Sequence, residues 1–356
     1  MGPASLHRAY RMLKNIMQAA VSGEHGPRGS ASSQSLGAPI GAIVAPCSAR
    51  KSMSVDHGAR AIFLPRGSQF TVETAWRRRL DELPALIGAG DLYQGRGFAT
   101  ARSAAHRAGA ELFVASAGLG LVSTTRKIPG YGLTVAGSAG LDAIRNRIVG
   151  RFEPASWWRA LQDGPYSTGL QHVFCQGGLV LMALTHAYAD LLVEEIAALD
   201  DACLERLRIV GTGLAPHLPE RVRNASLLSY DYRLDQHMPG VRGDFCQRAL
   251  SHFVNMLSDH ATAGSRAGDI AEDRAIVEAA LGHTRAKVPP RRSRASDTVI
   301  SQRISARLST NSRRLPGAAV LLKKIRDEDG IACEASRFSR LYRLVAGIKP
   351  DSARRA

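Results

Sequence analysis

The stretch E-L-F-V-A-S-A-G-L-G-L-V-S-T-T-R-K-I-P-G-Y, residues 111–131, decides how this chain is expected to fold. It opens with an apolar run at 112–115, continues through a turn of small residues at 116–120, and ends in Pro-Gly-Tyr. A short apolar run bounded by glycine is typical of a strand buried on both faces. Glycine at the carboxyl end of such a strand lets a ligand approach the backbone closely, so the turn is a candidate site. The alternative is an ordinary turn between a strand and a loop.

The same order of strand, glycine-rich turn and helix recurs along the chain. Helical spacing of apolar residues predicts helices over 71–86, 98–108, 141–149 and 179–199. Apolar runs predict further strands at 38–46, 171–178, 206–213 and 226–229. Strands that alternate with helices indicate a mostly parallel sheet covered on both faces. The predicted fold class is therefore α/β, a three-layer sandwich with a mostly parallel central sheet.

Length and composition bound the class of protein. The chain has 356 residues, of which 45% are hydrophobic, enough for one large domain or two. No apolar run approaches the ~20 residues needed to cross a bilayer, so we expect a soluble protein with no membrane partner. Residues 1–37 lack the apolar core of a secretory signal and are expected to form a flexible leader.

The five cysteines are widely spaced, odd in number and never in C-x-x-C spacing. This pattern argues against a disulfide framework and against a zinc finger. A cytoplasmic location fits best, because a reducing compartment tolerates free thiols. The residue patterns call for no metal ion and no cofactor.

Positive charge is concentrated in the last fifth of the chain. Residues 285–356 hold 18 of the 47 Lys and Arg residues and 6 of the 31 Asp and Glu residues, so they carry +12 of the net +16. Such a segment is an electrostatic footprint for a polyanion, most simply nucleic acid. A solvated tail is the alternative. We therefore predict a leader at 1–37, an α/β domain at 38–284 and a basic DNA-binding module at 285–356.

Short helices are predicted in the basic module at 299–308, 318–326 and 334–345, with an Asp-Gly turn before the last. This arrangement suits a small helix-turn-helix or winged module. On the last helix Arg337, Arg340 and Arg343 recur every three residues, so they follow one side and can meet a phosphate backbone. Phosphate contacts supply affinity without choosing a sequence.

The first predicted strand opens into C-S-A-R-K-S, residues 47–52. A strand that stops at proline and continues in small and basic residues makes a loop suited to holding an anion. A plain surface loop is the alternative. Asp91 lies in a polar junction before the helix at 98–108, where it either braces the helix start or serves the site.

Asp244, Arg248 and His252 fall at i, i+4 and i+8 on a predicted helix. Residues four apart share one helix face, so an acid, a base and an imidazole line up there. The ladder either binds a ligand or is an ordinary row of ion pairs. Trp157 and Trp158 are adjacent, so one of them either stacks on a base or covers a loop.

Four short motifs occur in a fixed order: A-P-C-S-A-R-K-S at 45–52, D-L-Y-Q-G-R-G-F at 91–98, S-A-G-L-G-L-V at 116–122 and P-G-Y-G-L-T at 129–134. In this order they resemble the YaaA-like family and nearby uncharacterised bacterial families. The resemblance covers about residues 38–134, with weaker support from Gly-Gly at 177–178 and Y-D-Y-R at 230–233. Those families look like distant relatives of the uracil-DNA-glycosylase superfamily and of domains in tRNA-guanine modification proteins. The resemblance implies an α/β sandwich that grips a nucleobase, although the loop at 47–51 lacks the Asp-Pro-Tyr-His set of the glycosylases.

Cleavage between a base and its sugar requires three kinds of group. Donors polarise the departing base, a carboxylate supports the cationic sugar or orients water, and a pocket receives a base turned out of the helix. Asp231 and Asp91 are the candidate carboxylates, and His172 is a candidate donor. Lys51 either steadies a phosphate or forms a Schiff base with the opened sugar.

The remaining candidates bind rather than react. The candidate base-binding residues are Cys47, Ser48, Tyr93, Ser116, Gly118 and Tyr131. The candidate DNA-binding residues are Arg233, Arg248, Arg337, Arg340 and Arg343. The expected partner is double-stranded DNA. When this DNA is the substrate of a reaction, it is expected to carry modified bases.

The leading hypothesis is a DNA glycosylase, a hydrolase that excises a modified base by base flipping and leaves an abasic site. Since the family relatives connect with modified bases, a hypermodified pyrimidine of phage DNA is the expected substrate, in antiviral defence. One alternative is a DNA-binding stress-response protein without catalysis. The other is a base-modification enzyme of the deazaguanine type, acting on DNA or tRNA.

Overall fold

The computed structural model describes residues 40–53, 55, 59–135, 141–262, 269–282, 292–309 and 316–347. The predicted leader at 1–37 and the predicted boundary at 284–285 lie outside these ranges. No helix within them is both long enough and apolar enough to cross a membrane.

A five-stranded sheet lies at the centre of the fold. Its strands are β1 (Ile40–Pro46), β3 (Glu111–Ser116), β4 (Gly120–Ser123), β6 (Leu179–Ala183) and β7 (Leu207–Val210), in the order β4-β3-β1-β6-β7. The neighbours β3, β1, β6 and β7 run parallel, and β4 returns antiparallel to β3 at the edge. The predicted α/β fold with a mostly parallel central sheet is therefore confirmed.

The central strands are buried because each is a short apolar run. Val44, in the middle of β1, lies opposite Phe113 of β3 and Met182 of β6, and all three side chains are fully buried. Strands buried along nearly their whole length need cover on both faces of the sheet. The close packing extends to the start of β1, where a Cβ on Gly41 would collide with the carbonyl oxygen of Gly177.

Two pairs of short strands lie outside the central sheet. β2 (Ile87–Gly88) pairs antiparallel with β5 (Lys127–Ile128), and β8 (Ser293–Arg294) pairs parallel with β9 (Ile331–Ala332). The first pair ties the segment before Asp91 to the loop that follows β4.

Fifteen α-helices lie in the described ranges. They are α1 (Gln69–Glu82), α2 (Ala89–Leu92), α3 (Arg96–Ala108), α4 (Asp142–Arg145), α5 (Pro154–Gln162), α6 (Leu170–Phe174), α7 (His186–Ala197), α8 (Asp201–Arg206), α9 (Glu220–Ser226), α10 (Leu234–His237), α11 (Phe245–Thr262), α12 (Ile270–Leu281), α13 (Asp297–Ser309), α14 (Ala318–Asp327) and α15 (Ala335–Val345). Short 3-10 turns occur at Ala61–Phe63, Ala215–His217 and Arg242–Asp244.

Two groups of helices cover the sheet. Helix α3 packs on α11. Of this pair, α3 lies against β1 and β3, and α11 lies against β6 and β7. The second group is a chain of neighbours in which α1 contacts α5, α5 contacts α7 and α7 contacts α9. Helix α5 also contacts β4, and α9 also contacts β7.

Helix α1 shows how the sequence produces one of these covering helices. Ser68 caps its start, since its hydroxyl oxygen accepts the N–H of Thr71 at 3.3 Å. Val72, Trp76 and Leu80 recur four residues apart and are buried, so they form the inner face. This face carries Trp76 towards the turn that follows β3.

The C-terminal helices have an apolar core of their own. Helices α13, α14 and α15 contact one another around a cluster that includes Ile300, Ile304, Leu321, Ile325 and Phe338. The described residues of these helices belong, with the sheet and its helices, to one compact unit.

The prediction for residues 170–199 is wrong in its assignment of strand and helix. The predicted strand at 171–178 overlaps the short helix α6, and the strand is the next segment, β6. The predicted long helix begins only at His186, as α7. The apolar run L-V-L-M-A suits a buried strand and a buried helix equally well, and the pairing of β6 with β1 and β7 decides between them.

Two smaller expectations also change. The predicted strand at 226–229 follows directly on α9 and makes a single bridge, from Leu227 to Ile209. Trp157 and Trp158 are both buried, so neither is free to stack on a base.

Candidate functional site

The carboxyl ends of β1 and β3 bring Cys47 and Ser116 to the same edge of the sheet. The backbone N–H of Cys47 donates to the carbonyl oxygen of Ala115 at 2.9 Å, which carries the parallel pairing one residue past β1. Open parallel sheets bind ligands at this edge, where strands end and loops begin. The two loops predicted to form the site therefore start side by side.

A chain of hydroxyl groups, the tyrosine–serine chain, runs from Ser116 through Tyr131 to Tyr93. The Ser116 Oγ lies 2.5 Å from the Tyr131 hydroxyl oxygen, which lies 2.8 Å from that of Tyr93. All three side chains are buried. Burial raises the pKa of Tyr93 and of Tyr131, so both hydroxyl groups keep their protons for these hydrogen bonds.

The turn after β3 holds Ser116, at one end of the tyrosine–serine chain, in place. The Ser116 Oγ accepts the backbone N–H groups of Gly118 at 3.2 Å and Leu119 at 3.1 Å. The indole N–H of Trp76 donates to the Gly118 carbonyl oxygen at 2.7 Å. A Cβ on Gly118 would lie 2.7 Å from Cε2 of Tyr131, so glycine is required for the tyrosine ring to fit.

Lys51 lies over the same two tyrosines. Its Nζ is 4.6 Å from the centre of the Tyr131 ring and 5.9 Å from the centre of the Tyr93 ring, and it donates to the Ser48 carbonyl oxygen at 3.4 Å. Burial lowers the pKa of Lys51, and the neighbouring Cys47 acts in the opposite direction. Among the residues that the structure describes, no carboxylate forms an ion pair with Lys51. An amine in this setting is more nucleophilic at neutral pH than that of an exposed lysine.

Backbone pairing fixes where Lys51 lies. Lys51 and Tyr93 form an antiparallel bridge. On one side of it the Ser52 N–H donates to the Leu92 carbonyl oxygen at 2.9 Å, and on the other the Gln94 N–H donates to the Arg50 carbonyl oxygen at 2.9 Å. The loop after β1 is thereby attached to the junction before α3.

Cys47 connects this loop to α7. Its Sγ lies 3.0 Å from the Tyr188 hydroxyl oxygen and 4.0 Å from Thr134 Oγ1. Cys47 and Tyr188 are both buried. Burial raises the pKa of Tyr188, and the proximity of Cys47 raises it further.

A pocket of about 270 Å³, here named the Cys47 pocket, opens beside the loop between the end of β1 and the starts of α3 and α11. Its wall includes Cys47, Ser48, Gln94, Gly97, Asp244 and Gln247. The first backbone N–H groups of a helix have no partner within the helix, so the start of α3 offers donors to this pocket. The size suits a small flat ligand rather than a drug-sized one.

A buried carboxylate lies in the wall of the Cys47 pocket. Asp244 accepts from Arg96 at 2.6 Å and from Arg248 at 2.9 Å, and its side chain is only 6% exposed. The predicted ladder thus forms between Asp244 and Arg248, which also donates to Asp235 at 2.7 Å. Its third member, His252, instead contacts the Tyr230 hydroxyl through Nδ1 at 3.0 Å.

The base-binding residues predicted from the sequence separate into two sets. Tyr93 and Tyr131 are 1% and 0% exposed, so neither presents a ring face on which a base can stack. Ser116 is equally buried, and Gly118 lies beneath the Tyr131 ring. These residues position the loop and Lys51, whereas Cys47 and Ser48 line the pocket itself.

Three residues predicted to be catalytic lie apart from the tyrosine–serine chain. Asp91 is exposed, and its carboxylate lies beside Gly88 at the start of α2. The carboxylate of Asp231 is held by Arg233 at 3.0 Å. His172 is exposed on α6, which leads into the amino end of β6, at the opposite end of the sheet from Cys47.

Two of the predicted DNA-binding arginines are held within the α/β part. Arg233 donates to Asp231 and to Glu278 of α12. The guanidinium of Arg248 is 6% exposed and bonds Asp244 and Asp235, which leaves it no surface for a phosphate.

The other three lie on α15. Arg337 and Arg340 both donate to Asp297 at the start of α13, each at 2.7 Å. These bonds lower the pKa of Asp297, with Arg340 as the larger influence. Arg343 is exposed and donates to the carbonyl oxygen of Ser339 in its own helix.

Sequence reasoning missed several residues that complete the site, namely Trp76, Thr134, Tyr188 and Gln247. Trp76 falls within the helix predicted at 71–86, and Tyr188 falls within the helix predicted at 179–199. Each reaches the site across more than 40 residues of chain, as with Cys47 and Tyr188, which are 141 residues apart. Local spacing carries no signal for such contacts.

Comparison of the chain with models of known families, with curated proteins and with solved structures finds no match. The resemblance to the YaaA-like family therefore stays a prediction from four short motifs. In the part of the chain that the structure describes, no group of three or more His, Cys, Asp or Glu side chains is placed to hold a metal ion.

Proposed function

We propose that this protein is a DNA glycosylase that excises a modified base through a covalent intermediate on Lys51. One observation carries the proposal: a half-buried lysine lies on the Tyr131 ring at the carboxyl edge of the sheet, with a lowered pKa and no described carboxylate partner. Bases, sugars and phosphates bind at this edge in open α/β sheets. A lysine amine made less basic by burial is a known type of nucleophile.

Two influences on Lys51 oppose each other. The face of an aromatic ring attracts the charged ammonium form of Lys51, which favours a higher pKa. Burial away from water disfavours the same charged form, which favours a lower pKa. Burial is the largest influence on the pKa of Lys51 and lowers it, although the neighbouring Cys47 acts in the opposite direction. The tyrosines thus hold the amine in place while burial supplies its neutral form.

The first step of the proposed reaction exchanges one bond for another at the sugar. The Nζ lone pair attacks C1′ of the deoxyribose, and the bond from C1′ to the base breaks. The base leaves with the electron pair and takes up a proton released from Nζ. Residues at the start of α3 line the Cys47 pocket. The backbone N–H groups at a helix start have no partner within the helix and are suited to stabilise charge on the departing base.

The second step releases the sugar. The Nζ lone pair expels O4′, which takes the remaining Nζ proton, so an imine and a 4′ hydroxyl form. Water then adds to the imine, Lys51 departs as a free amine, and the sugar remains as an abasic aldehyde. The net reaction is hydrolysis of the bond between base and sugar.

We propose that Asp244, rather than Asp91 or Asp231, supports positive charge on the sugar. It lies in the wall of the Cys47 pocket, and Arg96 and Arg248 fix its position. Asp91 and Asp231, the carboxylates proposed from the sequence, are directed at Gly88 and Arg233. We therefore assign the supporting role to Asp244.

The substrate we propose is a hypermodified pyrimidine of phage DNA, so the enzyme acts in antiviral defence. The resemblance to families connected with modified bases supports this choice. The C-terminal helices α13–α15, with their own apolar core, are proposed to hold the duplex as a helix-turn-helix or winged module.

The test is release of a base from DNA. The protein is incubated with phage DNA rich in modified pyrimidines and with unmodified DNA, and abasic sites are counted as alkali-labile breaks. We expect breaks in the modified DNA with the wild type and with Lys127→Met, which removes an exposed lysine from β5. Lys51→Met should give none. No release from any DNA, or equal release by Lys51→Met, contradicts the proposal.

A second candidate function is DNA binding without catalysis. It is favoured by the complete burial of Tyr93 and Tyr131, which leaves no aromatic surface to grip a flipped base. In that case the protein binds DNA in a salt-sensitive manner, and the alkali treatment detects no new breaks.

A further inference from the structure

We propose that a second pocket, lined by arginines, holds phosphate groups of the DNA backbone; the choice of DNA as the ligand rests on the proposed function. This arginine pocket measures about 590 Å³, and its charged lining residues are Arg242, Arg292, Arg294, Arg326, Arg337 and Glu334. Of these six, only Arg337 belongs to the arginines predicted from the sequence to bind DNA. The pocket joins a turn of the α/β part to the C-terminal helices.

Three of the guanidinium groups are held by backbone carbonyls. Arg292 donates to the carbonyl oxygen of Arg326 at 2.8 Å, and Arg326 donates to that of Cys333 at 2.6 Å. Arg337 donates to the carbonyl oxygen of Ala295 at 2.9 Å. Donors fixed in this way lose little side-chain freedom when an anion binds.

The pocket has an excess of positive charge. Arg292 and Arg337 are paired with aspartates. Arg242 and Arg294 are exposed and form no ion pair within the described ranges, and Arg242 lies 5.7 Å from the centre of the Tyr232 ring. These two side chains are therefore available to an incoming anion.

Arg242 connects the arginine pocket to the Cys47 pocket. Its neighbours in the chain, Val241 and Gly243, line the Cys47 pocket, whereas the Arg242 side chain lines the arginine pocket. A ligand that spans both must carry a base at one end and repeated negative charge at the other. The backbone of a DNA strand whose flipped base occupies the Cys47 pocket meets this requirement.

Arginine suits this ligand better than lysine does. The planar guanidinium offers paired donors that match two oxygens of one phosphate. Contacts of this type position a duplex without selecting its sequence. The arginine pocket therefore supplies affinity, and the choice of base is left to the Cys47 pocket.

The test compares two double variants of the full chain. Arg242→Gln with Arg294→Gln removes the two exposed arginines of the pocket that form no ion pair within the described ranges. Arg66→Gln with Arg102→Gln removes two exposed arginines elsewhere and serves as the matched control. Binding of a fluorescent duplex is measured by anisotropy over a series of salt concentrations.

We expect the pocket variant to bind at least about 10-fold more weakly at low salt, and its salt slope to fall by about 2, one for each lost phosphate contact. The control should keep the wild-type slope. Equal losses in both variants, or no loss in the pocket variant, overturn the proposal. Inorganic tripolyphosphate separates the two sources of phosphate: if it binds through the pocket while DNA affinity is unchanged, the ligand is a free polyphosphate and the proposal fails.

Failure of this proposal is distinguishable from failure of the proposed function. If the wild type binds DNA through these arginines and releases no base, the proposed function alone is wrong. If it releases base and its DNA affinity does not depend on Arg242 and Arg294, the inference about the pocket alone is wrong.

Discussion

The Nζ of Lys51 lies 4.6 Å from the centre of the Tyr131 ring, in a position where burial lowers the pKa of the amine. Lys51 follows β1, and Tyr131 follows the short strand β5, so the contact joins two segments that are 80 residues apart in the chain. The Tyr131 hydroxyl is in turn held by Ser116 and Tyr93. A reactive amine and a rigid support thus meet at one edge of the sheet.

Replacement of Lys51 by methionine should separate activity from stability. Base release should fall by at least about 1,000-fold, the scale of loss when a nucleophile is removed. The midpoint of urea unfolding should rise, because methionine keeps much of the volume and removes the cost of burying an ammonium group. Lys127→Met, at an exposed position, should change neither quantity. A lower unfolding midpoint for Lys51→Met would assign Lys51 a structural role instead.

The pH dependence of base release should follow the titration of Lys51. The neutral amine is the nucleophile, so the rate should rise as pH passes through the folded-state pKa and then level off. Since burial lowers this pKa, the midpoint should lie below the value of about 10.4 found for an exposed lysine. Single-turnover rates measured from about pH 6 to pH 10 provide the profile. A rate that is flat, or that falls over the alkaline range, contradicts an amine nucleophile.

A methyl group at Gly118 should disturb the support of Lys51. The added Cβ of Gly118→Ala would lie 2.7 Å from the Tyr131 ring and 3.2 Å from that of Trp76. Overpacking of a tight interior costs about 1–3 kcal/mol, so the free energy of unfolding should fall by that amount. Gly317→Ala is the control, because a Cβ there meets nothing within 4 Å. Equal stability of the two variants would mean that the Tyr131 ring is free to move aside.

The ion pair between Arg208 and Asp273 provides a test of the fold away from the site. Both side chains are fully buried, and Arg208 Nε lies 2.5 Å from Asp273 Oδ2. Asp273→Ala should lower the free energy of unfolding by about 3–5 kcal/mol, because it removes the carboxylate that balances the charge of a buried guanidinium. The joint change Arg208→Met and Asp273→Leu should cost less than Asp273→Ala alone. Urea unfolding followed by circular dichroism measures all three proteins.

Much of the fold could be predicted from apolar runs and their glycines. The strands β1, β3 and β7 were predicted because each is an apolar run bounded by glycine or proline. The segment at 179–199 could not be divided correctly, because L-V-L-M-A and the helix after it are both apolar. The segment L-V-L-M-A forms the strand β6 because it pairs with β1, more than 130 residues earlier in the chain. In this pairing Leu181 lies opposite Ile43.

The site was predictable where its residues follow strands directly. Cys47, Lys51 and Ser116 lie just after predicted strands, and the parallel pairing of β1 with β3 brings them together. Tyr131 ends the loop that was predicted after 116–120, and its hydroxyl bonds Ser116. The position of the Asp244 carboxylate in the site was not predictable in the same way. Asp244 reaches the Cys47 pocket through the packing of α11 on α3, and helical spacing indicated only its contact with Arg248.

Borohydride trapping tests the central claim most directly. The protein is incubated with modified phage DNA in the presence of sodium borohydride, which reduces an imine to a stable amine and so links enzyme to DNA. The proposed mechanism predicts a covalent adduct, with the sugar attached to Lys51 in peptide mass spectra and no adduct from Lys51→Met. Base release without an adduct, or an adduct on another lysine, would contradict it.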